Sequence, residues 1–511
     1  MTAKESCKAA LMILEPMKVS NMREILVLIL LCPLLLLLSS CSVGPDYERP
    51  ETTLPEQFSN ILPAKSQQPQ FSDIVNWWKT FNDPVLNQLV EEAVASNLDL
   101  DLAQGRVREA RALVAFSRSD FFPRVVTQAQ YSRSDSSDNA NFSSNNGNND
   151  GSEVSEGRDN GIKDLYEAGF DAAWEIDIFG GTRRAVESAQ ANYQAQLESR
   201  RDVLVSLLAE VAQNYITLRG IQQELDITKS NVAAQKELLE LQQMRFSAGL
   251  TSDLSVAQAE ALLLATSSQV PSLSKTLKQT LHRLSVLLAQ APGSLNERLS
   301  AMASLPVGPT TIPAGLPADL LRRRPDVRQA EQELMAATAN IGVATADLFP
   351  RLNLLGLIGF RSEMTSNFSN SASRYWSAGP NVSWDILSWF AVLDNIEVQD
   401  ARQEQALALY KKTVLQALED VENSLVAYEL EQNRNATLAL SVAANRRTLE
   451  LATQLNRAGV VDFLNVLNAQ QAVFDSEDQL VQSSRAVSGN LVALFKALGG
   501  GWEEFEQQSP Q

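Results

Sequence analysis

The sequence predicts an α+β membrane protein that supplies four short strands and two very long helical hairpins, arranged as two internal structural repeats. Three observations predict it. Residues 97–256 are rewritten in order at residues 324–466: Trp174, Gly169, Val211, Gly249, Leu254, Val256 and Ala259 recur as Trp384, Gly379, Val421, Gly459, Leu464, Val466 and Ala469, all at an offset of 210. Two segments alternate apolar and polar residues with a period of two. Each is followed by a heptad-patterned stretch nearly free of proline and glycine.

Upstream, Asp99, Ala103, Ala110 and Phe122-Pro123-Arg124 recur as Asp326, Ala330, Ala337 and Phe349-Pro350-Arg351, at an offset of 227. One insertion in the first copy explains the changed offset. Two matching halves suggest pseudo-symmetric assembly around an axis rather than one catalytic pocket.

The N-terminus sets the location. Ile25 to Leu38 are nearly all apolar, with Lys18 and Arg23 just before them. Such a run is short for a bilayer span and fits the core of a signal peptide. Leu38-Ser39-Ser40-Cys41 resembles the lipobox of a bacterial lipoprotein. That resemblance implies cleavage before Cys41, which then carries an S-diacylglycerol and an N-acyl chain. The acyl chains contribute about 0.8 kcal/mol per buried CH₂, a firm membrane anchor. Ser42 rather than Asp follows, the pattern that goes with export to the outer membrane. The competing reading is a buried cysteine after a short anchor helix.

Removing a leader with four basic and three acidic residues takes the net charge from −18 to −19. So acidic a chain repels phosphate backbones, which excludes nucleic acid as a partner. Cys7 and Cys32 fall in the leader, so no disulfide is expected in the mature chain. His282 is the single histidine, in the helical run Leu281-His282-Arg283-Leu284, which excludes His-rich metal sites. There is no P-loop, dinucleotide fingerprint or nucleophile elbow. No catalytic residue, metal or cofactor is expected beyond the lipid on Cys41, and the chain does not read as an enzyme.

From Thr182 to Ala248 there is no proline, and Gly220 is the single glycine. Such a helix extends roughly 100 Å at 1.5 Å per residue. Leu204, Val211, Leu218, Leu225, Val232, Leu239 and Phe246 recur every seventh residue, as in a coiled-coil seam. The other core positions are poorer, with Asn214, Thr228 and Gln235. Val414, Val421, Tyr428, Val442 and Leu449 echo the heptad in the second half. Gly249 and Gly459 suit helix ends followed by reversal. Returning helices are expected from Leu254 to about Gln290 and from Leu464 to about Leu498.

Ahead of each long helix, Tyr166, Ala168, Phe170, Ala172, Trp174 and Ile176 alternate with Glu167, Gly169, Asp171, Ala173, Glu175 and Asp177. Trp376, Ala378, Pro380, Val382, Trp384 and Ile386 repeat the pattern against Ser377, Gly379, Asn381, Ser383 and Asp385. This matches transmembrane barrel strands, apolar toward lipid and polar toward a lumen. Tyr166, Phe170, Trp174, Trp376 and Trp384 are expected on the lipid face. A half-buried soluble sheet is the competing reading. Four strands cannot close a pore-wide barrel, so the barrel is shared between subunits.

The expected order is a signal peptide at 1–40, a lipid-anchored tether at 41–84 and a first repeat at 85–300. That repeat holds strands at about 124–134 and 165–177 and a helical hairpin at about 182–291. A Pro/Gly-rich linker at 301–318 leads to a second repeat at 319–499, with strands at about 351–361 and 376–387 and a hairpin at about 390–498. A tail at 500–511 ends the chain. The polar loops Ser132–Lys163 and Ser362–Arg374 are expected outside the cell, which turns the long helices toward the periplasm.

Several motifs combine with this layout: Gly44-Pro45-Asp46-Tyr47, Trp77-Trp78, Phe81-Asn82-Asp83-Pro84-Val85-Leu86, Trp174-Glu175-Ile176-Asp177-Ile178-Phe179-Gly180 and Leu320-Leu321-Arg322-Arg323-Arg324-Pro325-Asp326-Val327. Together they resemble the TolC-type outer-membrane efflux channels, in the NodT-like lipoprotein branch. The resemblance implies a homotrimer with a twelve-stranded barrel continued by a periplasmic α-helical coiled-coil barrel. It implies the passive exit duct of a tripartite pump, with a periplasmic adaptor on the helical tips near Gly249 and Gly459. The inner-membrane transporter is expected to be of resistance-nodulation-division type. In that family aspartates often ring the tip aperture and select cations. Here Ser255 and Asn465 stand six residues past the tip glycines, and Asn468 fills a position often held by Asp. Asp253 and Asp462 lie nearby but out of register, as gate residues or as caps of the returning helices. Weak cation selectivity is therefore expected. A duct for type I-like secretion or metal efflux, and a non-conducting envelope-spanning coiled-coil lipoprotein, are the alternatives.

Overall fold

A computed structural model describes residues 42–51, 74–135, 162–309 and 322–506. The leader, Cys41 and most of the first polar loop lie outside the described residues. The elements run α1 (Pro84–Ser96), α2 (Leu98–Ser119), β1 (Arg124–Ser134), β2 (Lys163–Ile176), α3 (Gly181–Ser247), α4 (Asp253–Ser267) and α5 (Gln269–Leu287). They continue with α6 (Pro325–Ala346), β3 (Arg351–Ser362), β4 (Arg374–Ser383), α7 (Trp389–Arg457), α8 (Phe463–Ala497) and α9 (Trp502–Glu506). Two compact units result: one of Met1–Asp46, Ala115–Ser188 and Thr338–Asp400, the other of Tyr47–Val114, Ala189–Ala337 and Ala401–Gln511. Among the described residues no helix is long and apolar enough to cross a membrane.

The first unit is built on one antiparallel sheet in the order β1-β2-β3-β4. Below it, the first residues of the described chain are strapped down. The amide of Val43 donates to the Phe179 carbonyl at 3.1 Å, and the buried Arg184 donates to the carbonyl of Val43 at 3.2 Å and the carboxylate of Asp46 at 2.6 Å. Phe179 and Phe349 stack with ring centroids 4.5 Å apart.

The second unit holds the main apolar core. Leu204, Leu208, Val211, Tyr215 and Leu218 of α3 bury against Leu86 and Leu89 of α1, Leu284 of α5 and Leu491 and Phe495 of α8. Trp77 and Trp78 were expected in the tether, yet they are 1% exposed and belong to this core. Trp77 stacks on Phe495 and Trp78 on Phe505, both at 5.5 Å. Two aromatic residues of this size bury too much apolar area to stay in a solvated linker. Arg324, from the arginine run, donates to the Ala497 carbonyl at 2.9 Å and pairs with Asp326 at 2.8 Å and Asp420 at 3.0 Å. It is a structural tie between α6, α7 and α8. His282 is exposed on α5.

Helices α3 and α7, of 67 and 69 residues, are unbroken as their sequences predict. The first returning helix is not: it stops at Ser267 and restarts at Gln269. Pro271 explains the break, since it has no N–H for the carbonyl of residue 267 and its ring crowds that carbonyl. The second return, α8, has no proline and runs 35 residues without interruption.

Candidate functional site

Two places carry the functional expectations: the faces of the sheet and the tips of the helical hairpins. Register decides the sheet. Trp174 pairs with Leu354, Phe170 with Ile358 and Ala168 with Phe360, while Ile358 pairs with Trp376 and Leu352 with Val382. Tyr131 pairs with Tyr166, and their rings lie 4.9 Å apart. Directly opposed residues point to the same side, so one face collects Tyr131, Tyr166, Phe170, Trp174, Ile358 and Trp376. Phe170 and Trp376 are 53% and 70% exposed on it. Trp384 lies one residue past β4 and is half exposed.

The opposite face carries Gln128, Gln130, Glu167, Asp171, Asn353, Arg361, Tyr375 and Asn381, with Val126, Leu165, Ala173, Leu355 and Leu357 as its apolar exceptions. Glu167 accepts from Arg361 at 2.8 Å and from the Tyr375 hydroxyl, a polar cluster across β2, β3 and β4. Sequence reading missed Tyr375 and Arg361. Their period-two positions beside Trp376 and Phe360 were the available signal.

The two tryptophans make matching hydrogen bonds. Trp174 Nε1 donates to the Phe121 carbonyl at 2.9 Å, and Trp384 Nε1 to the Leu348 carbonyl at 3.2 Å. Each acceptor is the residue before a Phe-Pro-Arg segment, where the chain enters β1 or β3.

At the tips, Gly249 and Gly459 both have φ of +74°. The amide of the next residue reaches back to the last turn in both: Leu250 to the Arg245 carbonyl and Val460 to the Leu455 carbonyl, each at 2.9 Å. Only glycine adopts this left-handed stop without strain. Asp462 caps α8, its carboxylate accepting from the Phe463 amide at 2.6 Å. Asp253 is the first residue of α4 and is exposed, and the side chain of Ser252 before it makes no capping bond. Ser255 is buried with its hydroxyl 3.4 Å from that of Ser252. Asn465 donates to the Asp462 carbonyl, and both Asn465 and Asn468 are exposed. The exposed side of the second tip therefore carries the uncharged amides of Asn465 and Asn468 beside the charged Asp462 and Arg457. Among the described residues no group of His, Cys, Asp and Glu could hold a metal ion.

Residues 89–290 and 316–500 match the outer membrane efflux protein family. This chain belongs to that family. The efflux protein is 31% identical over 471 residues to the solvent efflux pump outer membrane protein SrpC of Pseudomonas putida, covering 92% of this chain and 97% of that one. It is 29% identical over 467 residues to nodulation protein T of Rhizobium leguminosarum bv. trifolii, covering 91% and 96%. The solved outer-membrane channel OprN superposes with a TM-score of 0.81 at 36% identity, covering 91% of this chain and all 100% of that one. The efflux protein thus has the fold of the TolC-type channels, which are transporters rather than enzymes.

Proposed function

We propose that this efflux protein is the outer-membrane exit channel of a tripartite pump, passively conducting solutes handed to it from the periplasmic side. One observation carries the reading: a four-stranded sheet with an apolar aromatic face, a polar face, and two edge strands, β1 and β4, that among the described residues pair on one side alone. Unpaired edges are not tolerated in lipid, so the sheet closes only by joining other copies. Three copies make twelve strands, and the duplicated halves give each copy two helical hairpins for a shared α-helical barrel. Leu225 and Val232 are only partly buried in the single chain and Phe246 is 46% exposed, an apolar stripe that a neighbouring copy covers.

Tyr166, Phe170, Trp174, Trp376 and Trp384 then face lipid, and the tips at Gly249 and Gly459 meet a periplasmic adaptor. An N-acyl, S-diacylglycerol anchor on Cys41 fits a chain strapped down from Val43 onward. An inner-membrane transporter, of resistance-nodulation-division type, selects the cargo. SrpC is named for solvents and nodulation protein T for nodulation, so relatives of one fold serve different exports.

Purified protein reconstituted in a planar bilayer tests this. The channel reading expects discrete conductance steps, a crosslinked mass of three chains and heat-modifiable migration. A protein that assembles but never conducts returns the non-conducting coiled-coil lipoprotein as the better account.

A further inference from the structure

The buried stripe of α3 changes character along its length. Ile221, Thr228, Gln235 and Gln242 follow one another at seven-residue spacing, and they are 2%, 1%, 1% and 1% exposed. The hydroxyl of Thr228 satisfies itself on the Glu224 carbonyl at 2.8 Å. The glutamines do not: both side-chain atoms of Gln235 and both of Gln242 are buried without a hydrogen-bond partner. On α8, Oε1 of Gln470 is buried and unpaired as well. The apolar packing at this level is a small cluster of Ala259, Phe463, Val466 and Leu467, with Leu238, Leu239, Leu262, Leu449 and Ala452 at its margin.

A buried amide without a partner forfeits its hydration and gains nothing in return. Two of them one heptad apart weaken the helix contacts that enclose them. Parting the helices returns these groups to water, so each amide rewards separation. Within the same helix the stretch from Leu204 to Leu218 carries no unpaired buried polar atom among the described residues, since its own buried stripe is aliphatic and aromatic; in the core around it, Nε1 of Trp77, Trp78 and Trp502 is unpaired.

We infer that Gln235 and Gln242 make the tip-proximal part of the helical hairpins pliable, so that it loosens while the equatorial part stays packed. The inference rests on the channel reading above for its purpose: a closed tip must open, and these residues set how readily its own chain yields. The compliant seam is the polar one inside each chain, and the apolar stripe of Leu225, Val232 and Phe246 is left to hold a neighbouring copy.

Hydrogen exchange on the full-length protein in detergent tests this, with wild type beside the near-isosteric Gln235→Met/Gln242→Met variant. In wild type the amides of residues 229–246 exchange faster than those of 204–221. In the variant the distal amides slow by roughly tenfold, the effect of relieving a buried amide cost, and channel openings in a planar bilayer become rarer. Equal protection of the two stretches in wild type overturns the inference. So does a folded variant whose distal exchange is unchanged or faster. If the double variant does not assemble, the wild-type gradient and the single Gln242→Met variant decide by the same criteria. Wild-type protein that never conducts defeats the channel reading, and the exchange comparison still decides the inference.

Discussion

The side chain of Arg485 on α8 lies across Gly220 on α3, the one glycine in the interior of that long helix. A Cβ added at Gly220 would stand 2.8 Å from Arg485 Cδ and 3.3 Å from its Cβ. From there the guanidinium reaches the buried Glu224 at 3.1 Å. The packing is reciprocal, for Gly489 on α8 sits under the side chain of Gln213 on α3, with a Cβ there 2.8 Å from Gln213 Nε2.

Gly220→Ala is therefore expected to destabilise, although helix propensity alone favours it by up to about 1 kcal/mol. The tightest contact is to Arg485 Cδ, with its Cβ and Cγ also close at 3.3 Å, so the whole aliphatic stem must shift and the guanidinium gives up its reach to Glu224. Overpacking of this kind costs about 1–3 kcal/mol. Thermal melting followed by circular dichroism checks the sign. In an Arg485→Ala background the same glycine substitution becomes neutral or stabilising.

The two tryptophan bonds make a second expectation. Trp174→Phe and Trp384→Phe keep an aromatic ring but remove the donor to the Phe121 and Leu348 carbonyls. Each loss costs about 0.5–1.5 kcal/mol, and the equivalent geometry predicts similar effects for the two. Loss of heat-modifiable migration at a lower temperature measures it. A large cost at one position and none at the other contradicts the equivalence.

Much of this was legible in the residues because strands and long helices announce their period. The alternation around Trp174 assigned the two faces of β2 before any register was known, while β4, expected at about 376–387, ends at Ser383 and leaves Trp384 just past it. The heptad from Leu204 to Phe246 was a poorer guide. A repeat shows which residues share a stripe, but a helix with two neighbours has two stripes, and near the tip the chain buries Gln235 and Gln242 rather than Val232 and Phe246. Pro271 announced the break at Ser268, yet a long apolar pattern ran across it. The burial of Trp77 and Trp78 depends on partners more than 400 residues away, Phe495 and Phe505, which no local pattern exposes.

Acid should tighten the equatorial body. Burial raises the carboxyl groups of Asp202, Glu198, Glu224 and Glu503 above their ordinary range. For Asp202 the neighbouring Asp326 adds to this, and Lys496 and Arg324 oppose it. For Glu198, Arg201 and Arg328 offset only part of the burial. A folded value above the unfolded one means that the native state binds more protons. The stability from these groups is complete below the unfolded carboxylate value of about 4 and is lost as pH rises through the elevated values. The melting temperature should therefore increase as pH is lowered from neutral toward 5. Asp202→Asn should flatten that slope while leaving the fold intact; an unchanged slope removes Asp202 from the account.

The tip offers the sharpest test of conduction. Its exposed amides, Asn465 and Asn468, carry no charge, and the nearby carboxylate of Asp462 is held at the start of α8 by the Phe463 amide. A carboxylate 4 Å from a monovalent cation is worth about 1 kcal/mol even at the dielectric of bulk water, roughly fivefold in local occupancy. Asn468→Asp should therefore raise the cation-to-anion permeability ratio in a planar bilayer, increasingly so at low salt, where screening fades. Wild-type reversal potentials in a salt gradient should show weak preference. If wild type already favours cations strongly and Asn468→Asp changes nothing, the narrowest selective point lies elsewhere along the passage and the exposed Asp253 becomes the next residue to neutralise.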